Sequence, residues 1–164
     1  MKQFSPFFIA LALVSMSCSI TKKTARTHSY EGDAIGCGNF IVYKLSEDNR
    51  EYLSIALNAK NIEFTDFQAF GVGKTDVMEV KRRVYDESIS ASLCNDVMFE
   101  KPELLKEESP SQGIIELIVS QEEREKAQNG QGYRVTLVLK KVLFEEVLVD
   151  YLRIEDVFVG WLPG

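Results

Sequence analysis

The residues able to do chemistry are few and widely spaced. The chain has one histidine, His28, and three cysteines, Cys18, Cys37 and Cys94. A tetrahedral zinc site needs four closely spaced Cys, His or carboxylate ligands. Two cysteines with no histidine nearby do not build one, so neither a metal nor another cofactor is expected. His28 stands in a polar run, residues 19–34. A Ser–His–Asp or Cys–His site needs a base that its surroundings hold in place, so no catalytic residue is expected there. Adjacent carboxylates are common: Glu47/Asp48, Asp86/Glu87, Glu107/Glu108, Glu122/Glu123, Glu145/Glu146 and Glu155/Asp156. Glycoside hydrolysis uses two carboxyls about 5–10 Å apart across a cleft. These pairs fall mostly in turn-like polar runs and read as solvated surface, and no run has the spacing of a calcium loop.

Gly71-Val72-Gly73-Lys74-Thr75 matches the end of the phosphate-binding loop GxxxxGK[ST]. In that loop backbone amides cradle phosphate, the lysine neutralises it and the hydroxyl holds magnesium. Gln68 stands where the first glycine belongs, and the flanks read as strands, so a glycine turn with a solvated Lys74 is expected and no nucleotide. The chain carries 19 Lys+Arg against 25 Asp+Glu, a net charge of −6. Phosphate backbones need a basic face, so no nucleic acid is expected either. Lys81-Arg82-Arg83 is the one basic run beyond residue 35. On a strand it puts Lys81 and Arg83 on one side, a device against edge-to-edge pairing, or an anion site. Phe64, Phe67 and Phe70 are spaced by three. On a strand Phe64 and Phe70 share a face and Phe67 takes the other. They read as core, or as a recognition patch beside the Gly71–Gly73 turn. Phe67, Phe70 and Trp161 are the candidate partner-binding residues.

The elements that must position these residues are strands. Hydrophobic residues make up 45% and charged residues 27%, the balance of one globular domain. Residues 35–164 hold 15 basic and 23 acidic residues, a charge of −8. Apolar residues there recur mostly with period two. Runs at 40–45 and 52–57 flank the polar turn 46–50 as a hairpin. Further runs fall at 62–70, 77–85, 113–120 and 132–141, the last continued or bent by 142–146, and then at 147–154 and 156–159. Val77, Val80 and Val84 in 77–85 also fit a helix, but its neighbours favour a strand, which 89–94 is expected to pair. Residues 101–110 read as a loop with one helical turn at 103–107, and 121–131 as a polar hairpin loop. The expected fold is all-β: a single β-sandwich, or a small β-barrel, of about seven to nine mainly antiparallel strands. The apolar end, with Phe158 and Trp161, is expected to dock into the core.

The front of the chain is an address. Lys2 is followed by the apolar run Phe7-Phe8-Ile9-Ala10-Leu11-Ala12-Leu13-Val14 and then by Ser15, Met16, Ser17 and Cys18. A positive start, a short apolar run and small residues make a signal peptide over residues 1–17, too short to span a bilayer as a mature helix. The stretch resembles the signal of a bacterial lipoprotein precursor, although Ser15 replaces the usual Leu and Met16 is larger than usual there. That resemblance implies cleavage before Cys18, lipidation of Cys18 with acyl groups such as palmitate, and a membrane anchor. With Ser19 next, it implies the outer membrane of the cell envelope. An ordinary signal cut at the same bond, giving a periplasmic or secreted soluble protein, is the alternative. With Cys18 lipidated, Cys37 and Cys94 remain as an even pair in an oxidising space. They are expected as a disulfide bond closing a 58-residue loop, against the alternative of two buried thiols. Residues 18–34 read as a flexible tether and 35–164 as the sandwich domain. By elimination the function is a non-enzymatic binding or assembly module with an envelope protein as partner. The alternatives are an apolar-ligand carrier in a barrel cavity and a secreted hydrolase using paired carboxylates.

Overall fold

The computed structural model describes residues 25–58, 62, 67–73, 76–89, 93–94 and 102–160. Ten strands and one helix follow in order: β1 Arg26–Thr27, β2 Ala34–Cys37, β3 Ile41–Leu45, β4 Glu51–Leu57, β5 Phe67–Gly71, β6 Met78–Tyr85, β7 Leu104–Glu108, β8 Gln112–Ile118, α1 Gln121–Gln128, β9 Tyr133–Leu143 and β10 Val147–Val159. They form two five-stranded sheets. Sheet A runs β1-β10-β9-β8-β5 and sheet B runs β2-β3-β4-β6-β7. Every pairing is antiparallel except β1 with β10. The sheets are not closed into a barrel, so the sandwich stands and the barrel alternative does not.

Period-two patterning selects the inner faces. Leu53, Ile55 and Leu57 of β4 and Met78 and Val80 of β6 face Ile115 and Leu117 of β8 and Val135, Leu137 and Leu139 of β9 across one buried core. Two long strands keep their apolar sides inward by slipping register. Lys141 in β9 and Asp156 in β10 have φ of 53° and 52°. The β9–β10 pairing skips between Ile154 and Val157. Such bulges bend a strand and re-aim the residues after it, which returns Val142 and Val157 to the core.

The outer face of sheet B carries a second, smaller core. Leu45, Tyr52 and Ile89 are buried there, with Ile35, Tyr43, Tyr85 and Leu93 packed against them. The segment after β6 folds back over this face. The Ile89 amide donates to the Asn49 carbonyl at 2.9 Å and the Cys37–Cys94 disulfide ties the segment to β2. Residues 89–94 therefore cap the sheet rather than pair with β6 wherever they are described.

Three further expectations change. Residues 103–107 are not a helical turn: Leu104–Glu108 is strand β7, held to β6 by backbone pairing and by Arg82–Glu108 and Arg83–Glu107 contacts. The polar stretch after Ser120 is helix α1. Ser120 caps it by accepting the Glu123 amide at 3.3 Å, and Lys126 reaches Glu122 at 3.0 Å and Glu123 at 2.6 Å. Finally, the sandwich takes in the second half of the expected tether 18–34. Arg26 and Thr27 pair with Val147 and Leu148, Tyr30 is buried in the main core, and β2 begins at Ala34. At that corner Gly36 lies so close to β10 that a Cβ would sit 1.9 Å from the Phe158 carbonyl oxygen. The Phe158 ring is half-buried and covers Gly132.

Candidate functional site

Two features stand apart from ordinary packing. The first is the outer face of sheet A. Alternation along β5, β8, β9 and β10 sends one set of side chains outward in register. Gly71, Ile114, Lys140 and Tyr151 form one row. Ala69, Glu116, Val138 and Arg153 form the next, and Phe67, Ile118 and Thr136 a third. Phe67 is 54% exposed, Ile114 48% and Tyr151 60%. Around these apolar groups each charge has an opposite partner. Lys140 meets Glu116 at 2.6 Å, Arg153 meets Glu155 at 2.5 Å, Arg134 meets Asp156 at 3.1 Å, and Lys141 contacts Asp150. Among the described residues no element lies over this face as the segment with Ile89 and Leu93 lies over sheet B.

The second feature is an ionic cluster where the core rows of β4 and β6 run out. Glu51, Arg82 and Glu108 occupy inward positions, with side chains 9%, 4% and 3% exposed. Arg82 donates from Nε to Glu51 Oε1 at 2.7 Å and from Nη2 to Glu51 Oε2 at 2.6 Å, a bidentate pair. Its Nη1 donates to Glu108 Oε2. The buried Tyr30 hydroxyl donates to Glu51 Oε1, His28 Nε2 lies 3.4 Å from the same oxygen, and Lys106 reaches Glu108 Oε1 at 2.7 Å. Burial disfavours the Arg82 cation, yet its hydrogen bonds to both carboxylates leave its pKa above the usual value. Burial also opposes the Glu108 carboxylate, but Lys106 and Arg82 win and hold its pKa below the usual range. Burial, reinforced by the Glu51 charge, pushes the Tyr30 phenol well up.

Beside this cluster the segment with His28 borders a groove of about 640 Å³ lined by Thr27, His28, Ser29, Glu31, Ser46, Glu47 and Asp48. His28 is not loose. Its amide donates to the Leu148 carbonyl at 3.0 Å and its ring meets Tyr30 edge-on at 4.8 Å between centroids. It has a carboxylate but no nucleophilic side chain in the contacts that place it.

The sequence-derived candidates separate. Cys37 and Cys94 are bridged, with Cα atoms 5.4 Å apart. Phe67 lies on the exposed face of β5, whereas Phe70 turns inward and packs against the main core. The partner-binding expectation for Phe70 is therefore corrected to core packing. Its neighbours alternate, so only one of the two phenylalanines can face out. Cys18, Phe64, Lys74, Thr75 and Trp161 lie outside the described residues. In the basic run, Arg82 points inward to carboxylates while Lys81 and Arg83 meet Glu107 outside. Ile114 and Tyr151 were missed. For Ile114 the signal was available, since it alternates with the core residues Ile115 and Leu117. Tyr151 shares the parity of the buried Val147 and Val149 and faces out because the alternation breaks at Asp150.

Comparison with protein-family models, with curated proteins and with solved structures finds no match for this chain. Fold and site define it as a two-sheet sandwich with an ionic cluster at one end of its core and a charge-balanced outer face on sheet A, over which no element lies among the described residues. Phe67, Ile114 and Tyr151 are exposed on it and Val138 at its centre is buried.

Proposed function

We propose that the chain is a cell-envelope lipoprotein, anchored through lipid on Cys18, whose sandwich is a non-enzymatic binding or assembly module. The observation that carries the binding role is the outer face of sheet A. Exposed Phe67, Ile114 and Tyr151, set among neutralised charges on one sheet face, are the kind of surface that a protein partner needs. The lipobox-like run ending at Cys18 and the disulfide, a bond that persists in oxidising compartments, support export. The alternatives draw less support. A carrier would hold its ligand between the sheets, and the sheets are not closed into a barrel around a lumen; Val42, Leu53, Leu137 and Leu139 from the two sheets are buried together in one core. A carboxylate hydrolase wants one acid with a raised pKa, whereas the two carboxylates that meet here, Glu51 and Glu108, share Arg82.

Intact mass of the membrane-extracted protein, with thiol labelling before and after reduction, tests the reading. The expected mass is residues 18–164 plus acyl groups. A Cys18→Ala variant should leave the membrane fraction. An unacylated mature chain, or a Cys18→Ala variant that stays membrane-bound, would reject the anchor.

A further inference from the structure

We infer that the occupant of the sheet A outer face is a second copy of this chain, joined as a two-fold dimer. The inference rests on the assembly role above and names its partner. Residues 35–164 carry a charge of −8, so two copies repel wherever their acidic surfaces approach. The outer face of sheet A escapes this. Its cations Arg134, Lys140, Lys141 and Arg153 are matched one for one by Asp156, Glu116, Asp150 and Glu155. A second copy brings the same balanced pattern and the same exposed Phe67, Ile114 and Tyr151. A two-fold contact needs such a self-complementary patch. A strongly basic partner, by contrast, would be drawn to the acidic remainder.

Size permits a contact of modest area. The four strands hold 5, 7, 11 and 13 residues, and at ~3.3 Å per residue and ~4.8 Å per strand they cover about 570 Å². Before side-chain relief, that footprint falls at the lower end of specific interfaces, about 600 Å² per partner. The border strand β5, Phe67-Gln68-Ala69-Phe70-Gly71, carries no charge. The outer strand of sheet B, β7, does carry charge, at Lys106, Glu107 and Glu108. Among the described residues, β5 itself therefore sets no like charge against a second copy.

The test uses the full processed chain extracted from membranes, its disulfide intact. Sedimentation across a dilution series reads the oligomeric state, and intact mass of the same sample reads acylation. Wild type should be dimeric. Ile114→Glu and Tyr151→Glu each place one unpaired carboxylate per copy, hence two per interface, and should weaken association at least about 100-fold with the far-UV circular dichroism unchanged. The melting temperature should fall only by what loss of the dimer removes and lose its dependence on concentration. Leu105→Glu, equally exposed but on β7 of sheet B, should remain dimeric. A monomer at every concentration, or a dimer indifferent to both face variants, overturns the inference. So does a different protein that co-purifies with wild type in place of a second copy and is lost with Ile114→Glu. Acylated monomer would sink this inference alone. Unacylated dimer would sink the anchor and leave this standing.

Discussion

Replacing Arg82 with methionine should be among the most damaging single changes in this domain, and the damage should depend on pH in a defined sense. Arg82 is the shared counter-ion of Glu51 and Glu108, donating two hydrogen bonds to one and a third to the other. Methionine fills much of the volume but leaves both carboxylates buried. Glu51 keeps only the Tyr30 hydroxyl and nearby His28, and Glu108 keeps the half-exposed Lys106. Removing one member of a buried ion pair costs about 3–5 kcal/mol, against a total stability of roughly 5–15 kcal/mol for a domain of this kind. In the wild type, Glu108 has a lowered pKa. Its contribution is present above the unfolded-state value and is lost as pH falls through the lowered folded value. Without Arg82 the burial remains and the compensation shrinks. Protonation then relieves the folded state, so the penalty should be largest near pH 7.5 and shrink as pH falls toward the carboxylate range.

Urea unfolding of oxidised protein at pH 7.5 and 5.0 reads this directly, as a change in midpoint at constant slope. A companion variant, Tyr30→Phe/Glu51→Leu/Arg82→Met/Glu108→Leu, removes the charges and the hydroxyl together and should recover most of the loss, since apolar replacement of a whole buried cluster is often neutral or stabilising. A penalty below about 1 kcal/mol for Arg82→Met, or one equal at both pH values, would refute the reasoning.

Other perturbations probe the remaining links. The Cys37→Ala/Cys94→Ala variant loses a cross-link between residues 57 positions apart and should lose about 4 kcal/mol by the chain-entropy argument. Reduction of the wild type should lower the urea midpoint by the same amount, and a shift under ~1 kcal/mol would contradict it. Gly36→Ala drives a Cβ to 1.9 Å from the Phe158 carbonyl oxygen and should cost more than about 2 kcal/mol, because the obstacle is backbone. Gly71→Ala meets nothing within 4 Å and serves as its near-neutral control in the same melt. Tyr30→Phe removes the hydroxyl that donates to Glu51 and should cost about 1.5–3 kcal/mol. Hydrogen exchange should then speed up first at the His28 and Gly32 amides; uniform acceleration across β9 would show that the segment does not open separately.

The sandwich was legible because its core obeys one rule, alternation, in long stretches. β4, β8 and β9 alternate apolar residues over most of their length. At β6, Val77, Val80 and Val84 also fit a helical stripe, and its strand-rich neighbours decide for strand. The missed elements are those where a different force outweighs periodicity. In β7, Leu104 and Leu105 are both exposed and the strand is fixed by Glu107 and Glu108 meeting Arg83 and Arg82. A charged run is strand-like only once its partner strand is known. Helix α1 has no buried residue and was hidden by composition, although Ser120 with Glu123 is a capping signature. The ionic cluster was invisible for another reason. Glu51 and Arg82 sit at positions where the alternating pattern asks for apolar side chains, and sequence alone reads such a break as the end of a strand.

The region most misjudged, residues 26–34, is also the one that would bear most on the proposed anchor at Cys18. Its polar composition suggested a tether, yet Arg26 pairs beside β10, and Tyr30 reaches the core with its hydroxyl on Glu51. Eight residue steps of at most ~3.6 Å separate Cys18 from Arg26, so a lipid on Cys18 would hold β1 within about 29 Å of its attachment point. The amide of Arg26 is bonded to the Glu146 carbonyl at 2.8 Å, which places the β9–β10 turn under the same bound. Two anchored copies would thus lie in one plane at similar height, each presenting the outer face of sheet A beside the same short leash. Confinement of this kind raises effective concentration without adding a contact. Self-association measured in detergent should therefore be weaker than on a bilayer. In vesicles reconstituted at fixed mean copy number, crosslinking through Cys introduced at Thr136 should exceed that in detergent at the same bulk concentration. Equal yields in the two media would mean that the leash is too long or too loose to align the faces, and the geometric argument for a short one would fail.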